Sequence, residues 1–496
     1  MMKLWKNGYF HTLENEANVK KHMATHLGVI IGFDNEIKNL SFDEVIDLNG
    51  SHVYPGFVDA HLHLIGYGRK LSRLNLKNVR DKNIVLDTLS NVFLKKPLFA
   101  EGYFECGITK IDLNRISTNF PIIIRHNDYH SVTVNDFVLK QMKYQSETGV
   151  LTEEIAELAM DTYPRYTHDE LKDLLKTSIK SLYSYGVTGG HSDDLSYYNG
   201  FTDTLGVFDE VLKDLPFRAH LLVHHNVMDE YLKSDRVFLD QTTYLQIGGI
   251  KMFYDGTVSS KTALMHHPYQ NQLSHGIRIH PKKEFEEMVQ KARTNNLTVA
   301  IHVIGDLGLH EVIEILRKYP PQKGAYDRLI HTPWIDKKTI ELMRNMPLSI
   351  DIQPQFLSSD LPWALDYFSQ TPELVFPWKT LLDNQIILAG SSDAPVEIPN
   401  PLLGMYAAIK RKPDFVHKPY YEQEALNRFE AVELYTKGAN FSTMHQNRGM
   451  LKKGFIADFS IYEDNLFEMN IEKFKQDILY ATVIDENIVY KKVNND

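Results

Sequence analysis

The protein has 496 residues and a formal net charge of −10, and 43 % of its residues are apolar and 24 % charged. This composition is typical of a globular protein with a large core, and the acidic balance argues against a nucleic-acid-binding protein. One cysteine, Cys106, excludes an intrachain disulfide and a cysteine-rich zinc site. The 22 histidines are the abundant candidates for metal ligands, since histidine is the commonest metal ligand in proteins.

Short strands are predicted at both ends of the chain. Near the N-terminus they cover residues 3–10, 28–33 and 45–48, and near the C-terminus residues 458–462, 478–484 and 487–493. Because these segments flank the rest of the chain, we expect residues 1–52 and 440–496 to pair into one small β domain.

Between the two ends, apolar β-rich runs alternate with segments of helical period. This alternation predicts βα units around a parallel sheet. One example is the helix predicted over 282–295, whose stripe contains Phe285, Met288, Val289 and Ala292. Eight units indicate a closed (β/α)8 barrel over residues 53–439, with its site at the carboxyl ends of the strands. The predicted strands are 53–64, 186–191, 217–224, 245–255, 297–306, 328–334, 348–356 and 386–396.

The gap between the first and second predicted strands is too long for a simple connection. It runs from residue 65 to 185, whereas a βα connection is normally a few residues and its helix. An inserted α/β subdomain at about residues 75–150 is therefore predicted, with strands of its own at 121–125 and 131–134.

His61 and His63 end the first predicted barrel strand. Residues two apart on a strand point to the same face, so the two imidazoles can chelate one metal ion. The alternative is a pair of polar side chains that only hydrogen-bond to loops.

Three further strands end on one ionisable residue each, namely His302, His331 and Asp393. Each histidine could be a satisfied core residue, and Asp393 could cap the next helix. However, a barrel brings all its strand ends to one rim, which favours one shared site. Imidazoles with a carboxylate suit zinc and similar metals.

Lys251 lies within the apolar run GGIKMFYDG, where a lysine is costly to bury without a partner. Three interpretations stay open at this point: a buried ion pair with a carboxylate, a Schiff-base lysine, and chemical modification to an anion.

The ordered motifs PGFVDAHLH, GVTGGHSD, GGIKMFYDGT, AIHVIGD, LIHTPWI, QPQF and GSSDAPV resemble the amidohydrolase superfamily. Within it, the chain looks most like the YtcJ-like branch of metal-dependent amidohydrolases, amidohydrolase family 3. The resemblance covers nearly the whole chain. It implies an α/β fold in which a TIM-like barrel carries an inserted α/β subdomain and a composite β-sandwich made from the two chain ends.

The resemblance also implies roles for the strand-end residues. His61 and His63 match the ligands of the more buried metal, and His302 and His331 match those of a second. Lys251 matches a lysine that can carry a carbamate bridging two metals. Asp393 matches the aspartate that contacts metal and acts as general base and acid. The implied cofactor is one or two divalent ions, zinc first.

Six other positions are candidates for substrate binding. His130 and His191 could bind a carbonyl or carboxylate, although each could equally have a structural role. This chain has Gly102-Tyr103 where relatives often have Gly-Trp, and Lys261 near a position where many have Arg. Tyr103, Asp255, Lys261 and Gln355 are the weaker candidates, and a structural role is the alternative for each. The six are His130, His191, Tyr103, Asp255, Lys261 and Gln355.

The implied function is a hydrolase that cleaves a C–N bond of a small molecule, in an amide, formamide or cyclic amide other than a peptide, by metal-activated water. Ester or lactone hydrolysis, isomerisation or decarboxylation on the same scaffold is one alternative. A catalytically silent metal- or ligand-binding protein is another, although the full ligand set disfavours it. A nicotinamide enzyme is disfavoured because no G-x-G-x-x-G follows a strand.

Partners and location follow from the same features. We expect a small-molecule substrate and neither a nucleic-acid nor a membrane partner, while a homo-oligomer such as a dimer stays open. No signal peptide and no apolar run near the length of a membrane span, about 18 residues, are recognisable. The single cysteine fits a reducing compartment, so we expect a cytoplasmic protein.

Overall fold

The computed structural model describes residues 1–127, 130–240, 242–413 and 415–493. Its described residues divide into two compact units, one covering Arg69–Glu170 and the other the rest of the chain. No helix in the described ranges is both long and apolar enough to cross a membrane.

An eight-stranded parallel sheet dominates the larger unit. Its strands follow one another in chain order around the sheet, as the eight predicted βα units require. They are β1 (Phe57–Leu62), β2 (Val187–Ser192), β3 (Arg218–His224), β4 (Leu245–Phe253), β5 (Val299–Val303), β6 (Asp327–His331), β7 (Leu348–Ile352) and β8 (Ile387–Gly390). The predicted TIM-like barrel is therefore confirmed.

The two edge strands, β1 and β8, are linked just beyond their carboxyl ends. The backbone N–H of Asp393 donates to the carbonyl of His61 over 2.8 Å, and that of His63 donates to the carbonyl of Ala394 over 2.7 Å. These bonds nearly close the barrel, and they do so beside the predicted metal ligands.

Amphipathic helices follow the strands. The helix predicted over 282–295 is observed at Lys282–Thr294 and buries Phe285, Val289 and Ala292, as its apolar stripe requires. The others in this part of the chain are Leu64–Ser72, His168–Tyr183, Gly200–Asp214, Met228–Lys233, Asp306–Lys318, Lys337–Met343, Pro354–Asp360, Trp378–Asp383, Pro401–Lys410, Arg428–Glu433 and Ala439–Ser442.

Several predicted strands are too long: 297–306, 328–334 and 386–396 end at Val303, His331 and Gly390. Two others are interrupted or shortened at a particular residue. The run 53–64 is interrupted at Gly56, so that His52–Pro55 joins a different sheet from β1. The run 348–356 ends at Ile352, because Pro354 begins a helix at a position where proline is favoured.

Two further sheets contain the chain ends. One has six strands in the order Asn487–Lys491, Leu479–Ile484, Phe459–Tyr462, His52–Pro55, Tyr9–His11 and Val19–Lys20. The other has four, in the order Val29–Phe33, Met23–His26, Met2–Lys6 and Glu44–Asp47. Both contribute to one core, which includes Trp5, Met23, Val53, Phe459 and Val483. The predicted sandwich from both chain ends is thus present. Its proposed limits, 1–52 and 440–496, stay a prediction, and residues 494–496 lie outside the described part.

The smaller unit contains a mixed five-stranded sheet in the order Val150–Thr152, Ser131–Val134, Ile122–His126, Leu98–Tyr103 and Leu74–Asn75. Its helices are Lys82–Val92, Lys110–Ile116, Asp136–Met142 and Glu153–Asp161. Two apolar clusters form its core, one with Leu89, Leu113 and Ile124 and one with Ile123 and Leu139. An inserted α/β subdomain is therefore observed, and its predicted limits of about 75–150 stay a proposal.

Candidate metal centre

Six predicted residues line one cavity of about 360 Å³ at the carboxyl ends of the barrel strands. They come from five different strands, which a parallel barrel brings to one rim. Together they supply four imidazoles, an amine and a carboxylate. The six are His61, His63, Lys251, His302, His331 and Asp393.

Three of the six lie close enough together to bind one metal ion. Each of the three offers one donor atom, and these atoms lie within 4.8 Å of one another; the residues are His61, His331 and Asp393. In the described chain, the buried Nδ1 of His61 has no hydrogen-bond partner, and such buried orphan groups are rare in proteins. Nitrogen and oxygen donors in this arrangement fit a divalent metal.

Three of the four imidazoles, those of His61, His302 and His331, favour the neutral form that binds metals. Burial lowers the pKa of His61 and His331 well below the ordinary value and that of His302 to about 3. Neutral imidazole is the ligand form, because a protonated ring has no free lone pair.

Gln353 orients His331. Its Oε1 accepts a hydrogen bond of 2.7 Å from Nδ1 of His331, while its Nε2 donates to Asp351 and Ser391 and so defines which end of the amide faces the ring. Nε2 of His331 is thereby left with the lone pair. Sequence reasoning missed this residue, which follows β7.

The turn that carries Asp393 is fixed to β1. Asp393 has a φ of 53°, in the left-handed region. Both carboxylate oxygens of buried Asp59 accept hydrogen bonds from Ser392, and one of them also accepts from the backbone N–H of His61. As a result, Oδ1 of Asp393 lies 3.5 Å from Nε2 of both His61 and His63.

Asp193, just after β2, is the main residue that sequence reasoning missed. Its Oδ2 lies 2.9 Å from Nζ of Lys251, and its Oδ1 lies 2.7 Å from Nδ1 of His63. Burial would raise the pKa of Asp193, but His63 and Lys251 hold it well below the ordinary value. The sequence contains a pattern that could have identified it. Asp193 ends an apolar strand in GGHSD, just as Asp393 does in GSSD.

The protonation of His63 also depends on these carboxylates. Burial would lower the pKa of His63, but Asp193 and Asp393 raise it well above the ordinary value. Lys251 is paired with Asp193, which corresponds to the first of its three interpretations.

The rest of the cavity wall is mostly apolar. Its polar members are Thr257, Ser259, Ser359 and Asp360. Its apolar and aromatic members are Tyr197, Phe253, Val258, Ile304, Pro333, Trp334, Phe356, Trp363 and Val396. A small ligand in an apolar cavity with a few polar groups is the usual arrangement of a binding site.

Asp255 and His191 are buried and do not line the cavity. The carboxylate of fully buried Asp255 accepts hydrogen bonds from the backbone N–H groups of Leu264, Ile304 and Gly305. Nδ1 of buried His191 lies 3.1 Å from the carbonyl of Ala60 and 3.1 Å from Nη2 of Arg328. Each side chain therefore has structural partners.

Lys261 and Gln355 also have partners away from the histidines. Nζ of Lys261 lies over the ring of Tyr367, 5.3 Å from its centre. Nε2 of Gln355 donates to the carbonyl of Ile398, and Gln355 borders a neighbouring cavity. Gln355 was predicted in a strand, and the helix from Pro354 changes its direction.

Tyr103 and His130 belong to the smaller unit. The hydroxyl of buried Tyr103 accepts hydrogen bonds from the backbone N–H groups of Cys106 and Ile108. His130 is exposed, and its Nδ1 lies 3.4 Å from a carboxylate oxygen of Glu153.

Known proteins of one family resemble this chain over most of its length. The family described as "Amidohydrolase family" matches residues 44–490. YtcJ of Bacillus subtilis (strain 168), which is named as an amidohydrolase, is 32 % identical over 99 % of this chain and 100 % of its own. An N-substituted formamide deformylase from Arthrobacter pascens is 20 % identical over 94 % of each chain.

A solved structure shares the architecture. The crystal structure of an uncharacterized metal-dependent hydrolase from Pyrococcus horikoshii OT3 superposes with a TM-score of 0.82, at 25 % identity and over 95 % of this chain and 99 % of the other. Sequence and structure agree over nearly the full length of the protein. The chain therefore belongs to the amidohydrolase family and is a metal-dependent hydrolase of that superfamily.

Proposed function

We propose that the protein hydrolyses a C–N bond of a small molecule, in an amide, formamide or cyclic amide. The observation that carries this proposal is the convergence of His61, His331 and Asp393 within 4.8 Å in an otherwise apolar cavity. Similarity to an N-substituted formamide deformylase supports the choice of bond.

We propose that the metal is held by the strand-end residues. His61, His63, His302, His331 and Asp393 supply nitrogen and oxygen donors, which suit zinc. When bound, such a metal lowers the pKa of water to about 7 and polarises a carbonyl group. One or two ions and a carbamate on Lys251 stay predictions.

Asp393 is the proposed catalytic residue. Its backbone is fixed by the bond to His61, so its carboxylate stays beside the imidazoles and open to the cavity. In this position it accepts a proton from the attacking water and delivers it to the departing nitrogen. Proton transfer by a positioned side chain typically accelerates a reaction by about 10²–10⁴-fold.

Asp193 is a positioning residue in this proposal. Its two oxygens hold Lys251 and His63 in one buried network, which fixes the ring of His63 at the edge of the ligand set. Residues that orient a ligand through its second nitrogen commonly tune metal affinity. Gln353 has the same relationship to His331.

Substrate contacts by His130, His191, Tyr103, Asp255, Lys261 and Gln355 stay predictions. So do cytoplasmic location and a homo-oligomeric state. Phe356 and Trp363, which line the cavity, are further proposed substrate contacts.

Metal content and substrate profile together test the function. We expect the purified protein to contain a divalent metal by elemental analysis and to cleave members of a panel of N-formyl, N-acyl and cyclic amides. The double variant His61→Ala/His331→Ala should lose both properties. His267→Ala, which alters an exposed histidine, is the matched control and should keep the metal.

Two results would contradict the proposal. One is a full metal content in the double variant. The other is hydrolysis of esters or lactones by a protein that leaves every amide in the panel intact.

A further inference from the structure

One wall of the cavity is the short helix Pro354–Asp360. Three of its residues, Phe356, Ser359 and Asp360, line the cavity and follow the spacing of one helical face. The ring of Phe356 stacks near that of His331, with centroids 6.0 Å apart and planes at 11°. The wall therefore begins at the proposed metal ligands, and Asp360 lies one turn, about 6 Å, further along the helix.

The carboxylate of Asp360 is uncompensated. Among the described residues, none forms a hydrogen bond or an ion pair with its side chain. It lies at the C-terminal end of its helix, where the backbone carbonyls disfavour negative charge. Burial, with the nearby charge of Glu397, raises the pKa of Asp360 to about 7. A partly buried acid in such a place costs stability unless a ligand compensates it.

The charges of the cavity favour a cationic ligand over an anionic one. Within the described part of the chain, Lys251 is the one lysine or arginine in the cavity lining, and it is already paired with Asp193. At the Asp360 end, a substrate carboxylate would therefore meet an acid, and no lysine or arginine of the described lining is left unpaired to bind it. An ammonium group would find Asp360 together with aromatic rings such as Trp363, whose faces attract cations.

We propose that Asp360 binds a cationic group on the substrate, and that the substrate is an amide with an apolar or aromatic body and an ammonium group at its far end. The amide part of this description rests on the proposed function. The ammonium group lies against Asp360, the body packs on Phe356 and Trp363, and the amide reaches the proposed metal ligands. Asp360 is thus a specificity-determining residue.

Calorimetry with benzylammonium and its neutral isostere, benzyl alcohol, tests the charge preference without catalysis. We expect the wild type to bind the cation about 10- to 100-fold more tightly, the range of a charge-assisted hydrogen bond in a partly buried site. The ratio should fall to near one in Asp360→Asn. It should persist in Glu341→Gln, the matched control, which removes the charge of an exposed acid outside the cavity lining.

A kinetic experiment gives the second measurement. The para-aminomethyl and para-hydroxymethyl derivatives of N-formylbenzylamine differ in charge at similar size. We expect kcat/KM to favour the aminomethyl compound in the wild type and in Glu341→Gln, and we expect that preference to be lost in Asp360→Asn.

Equal binding of the two probes by the wild type, or an unchanged ratio in Asp360→Asn, would overturn the role of Asp360. The proposed function fails in a different way. If benzylammonium binds with the expected preference but no amide is cleaved, the C–N bond assignment is wrong and the role of Asp360 stands. If both formamides are cleaved with equal kcat/KM, the role of Asp360 is wrong and the C–N bond assignment stands.

Discussion

Nζ of Lys251 lies 2.9 Å from Oδ2 of Asp193, and both side chains are almost fully buried. The other oxygen of Asp193 contacts His63, so a single carboxylate joins the lysine of β4 to the histidine that follows β1. A buried cation needs such a partner, because its desolvation is otherwise uncompensated.

The first prediction concerns this ion pair. Asp193→Ala should lower the free energy of unfolding by about 3–5 kcal/mol, since it leaves the Lys251 ammonium buried without a counter-charge. Urea unfolding of the metal-free protein measures the change. Lys251→Met in the same background should recover part of the loss, because the uncompensated charge is then gone.

Glu287→Ala is the control for Asp193→Ala. It removes an exposed ion pair with Lys283, and such pairs contribute at most about 1 kcal/mol. If Asp193→Ala costs no more than this control, Lys251 is not an ammonium paired with Asp193. A carbamate on Lys251, which is an anion, would then be the better interpretation.

The second prediction concerns Asp393. Asp393→Asn should lower kcat on any cleaved amide by about 10²–10⁴-fold, because the side chain can no longer accept the proton. Its free energy of unfolding should stay close to that of the wild type, since the bond from its backbone to His61 remains. Asp366→Asn, an exposed aspartate, is the control for activity. A loss of less than tenfold in Asp393→Asn would exclude Asp393 as the base.

The third prediction uses two glutamines on either side of Pro354. Gln353→Leu should weaken zinc binding about 10- to 100-fold, because His331 loses the acceptor that holds its ring. Gln355→Leu should leave zinc affinity unchanged, since Gln355 bonds to Ile398. Competition with a chromophoric chelator measures both constants. Equal effects of the two variants would show that the bond to His331 is unimportant for metal affinity.

The fourth prediction concerns pH. Burial raises the pKa of Asp255 from the ordinary value of 3.8 to about 7, although three backbone N–H groups oppose the shift. The folded protein therefore holds a proton that the unfolded chain releases between pH 3.8 and about 7. The stability that this proton contributes is fully present below pH 3.8 and is lost as the pH rises through about 7.

Asp255→Asn removes this dependence. The variant should be less stable than the wild type at pH 4, because its amide N–H cannot accept a backbone hydrogen bond. The difference should shrink as the pH rises to 7, by at most about 1.4 kcal/mol per pH unit for one proton. Urea unfolding of metal-free protein across this range, with Asp366→Asn as control, measures it. Parallel curves for wild type and Asp255→Asn would contradict the shift.

Local patterns in the sequence predicted much of the barrel and of the candidate site. Continuous apolar runs and helical stripes depend only on residues a few positions apart, so they predicted segments such as β5 and the helix Lys282–Thr294. His302 and His331 were recognisable as candidates because each ends an apolar run. The rule that parallel strands end at one rim then groups them without tertiary information.

The sequence by itself thus determined the barrel, the family resemblance and six candidate residues at the strand ends. Only the tertiary structure decided which carboxylate pairs with Lys251, which glutamine orients His331, and that Asp360 faces the cavity with no partner among the described residues. The reason is physical. Strand and helix periods are local, whereas the partner of a buried charge is chosen by packing between segments far apart in the chain, such as Asp193 after β2 and Lys251 in β4.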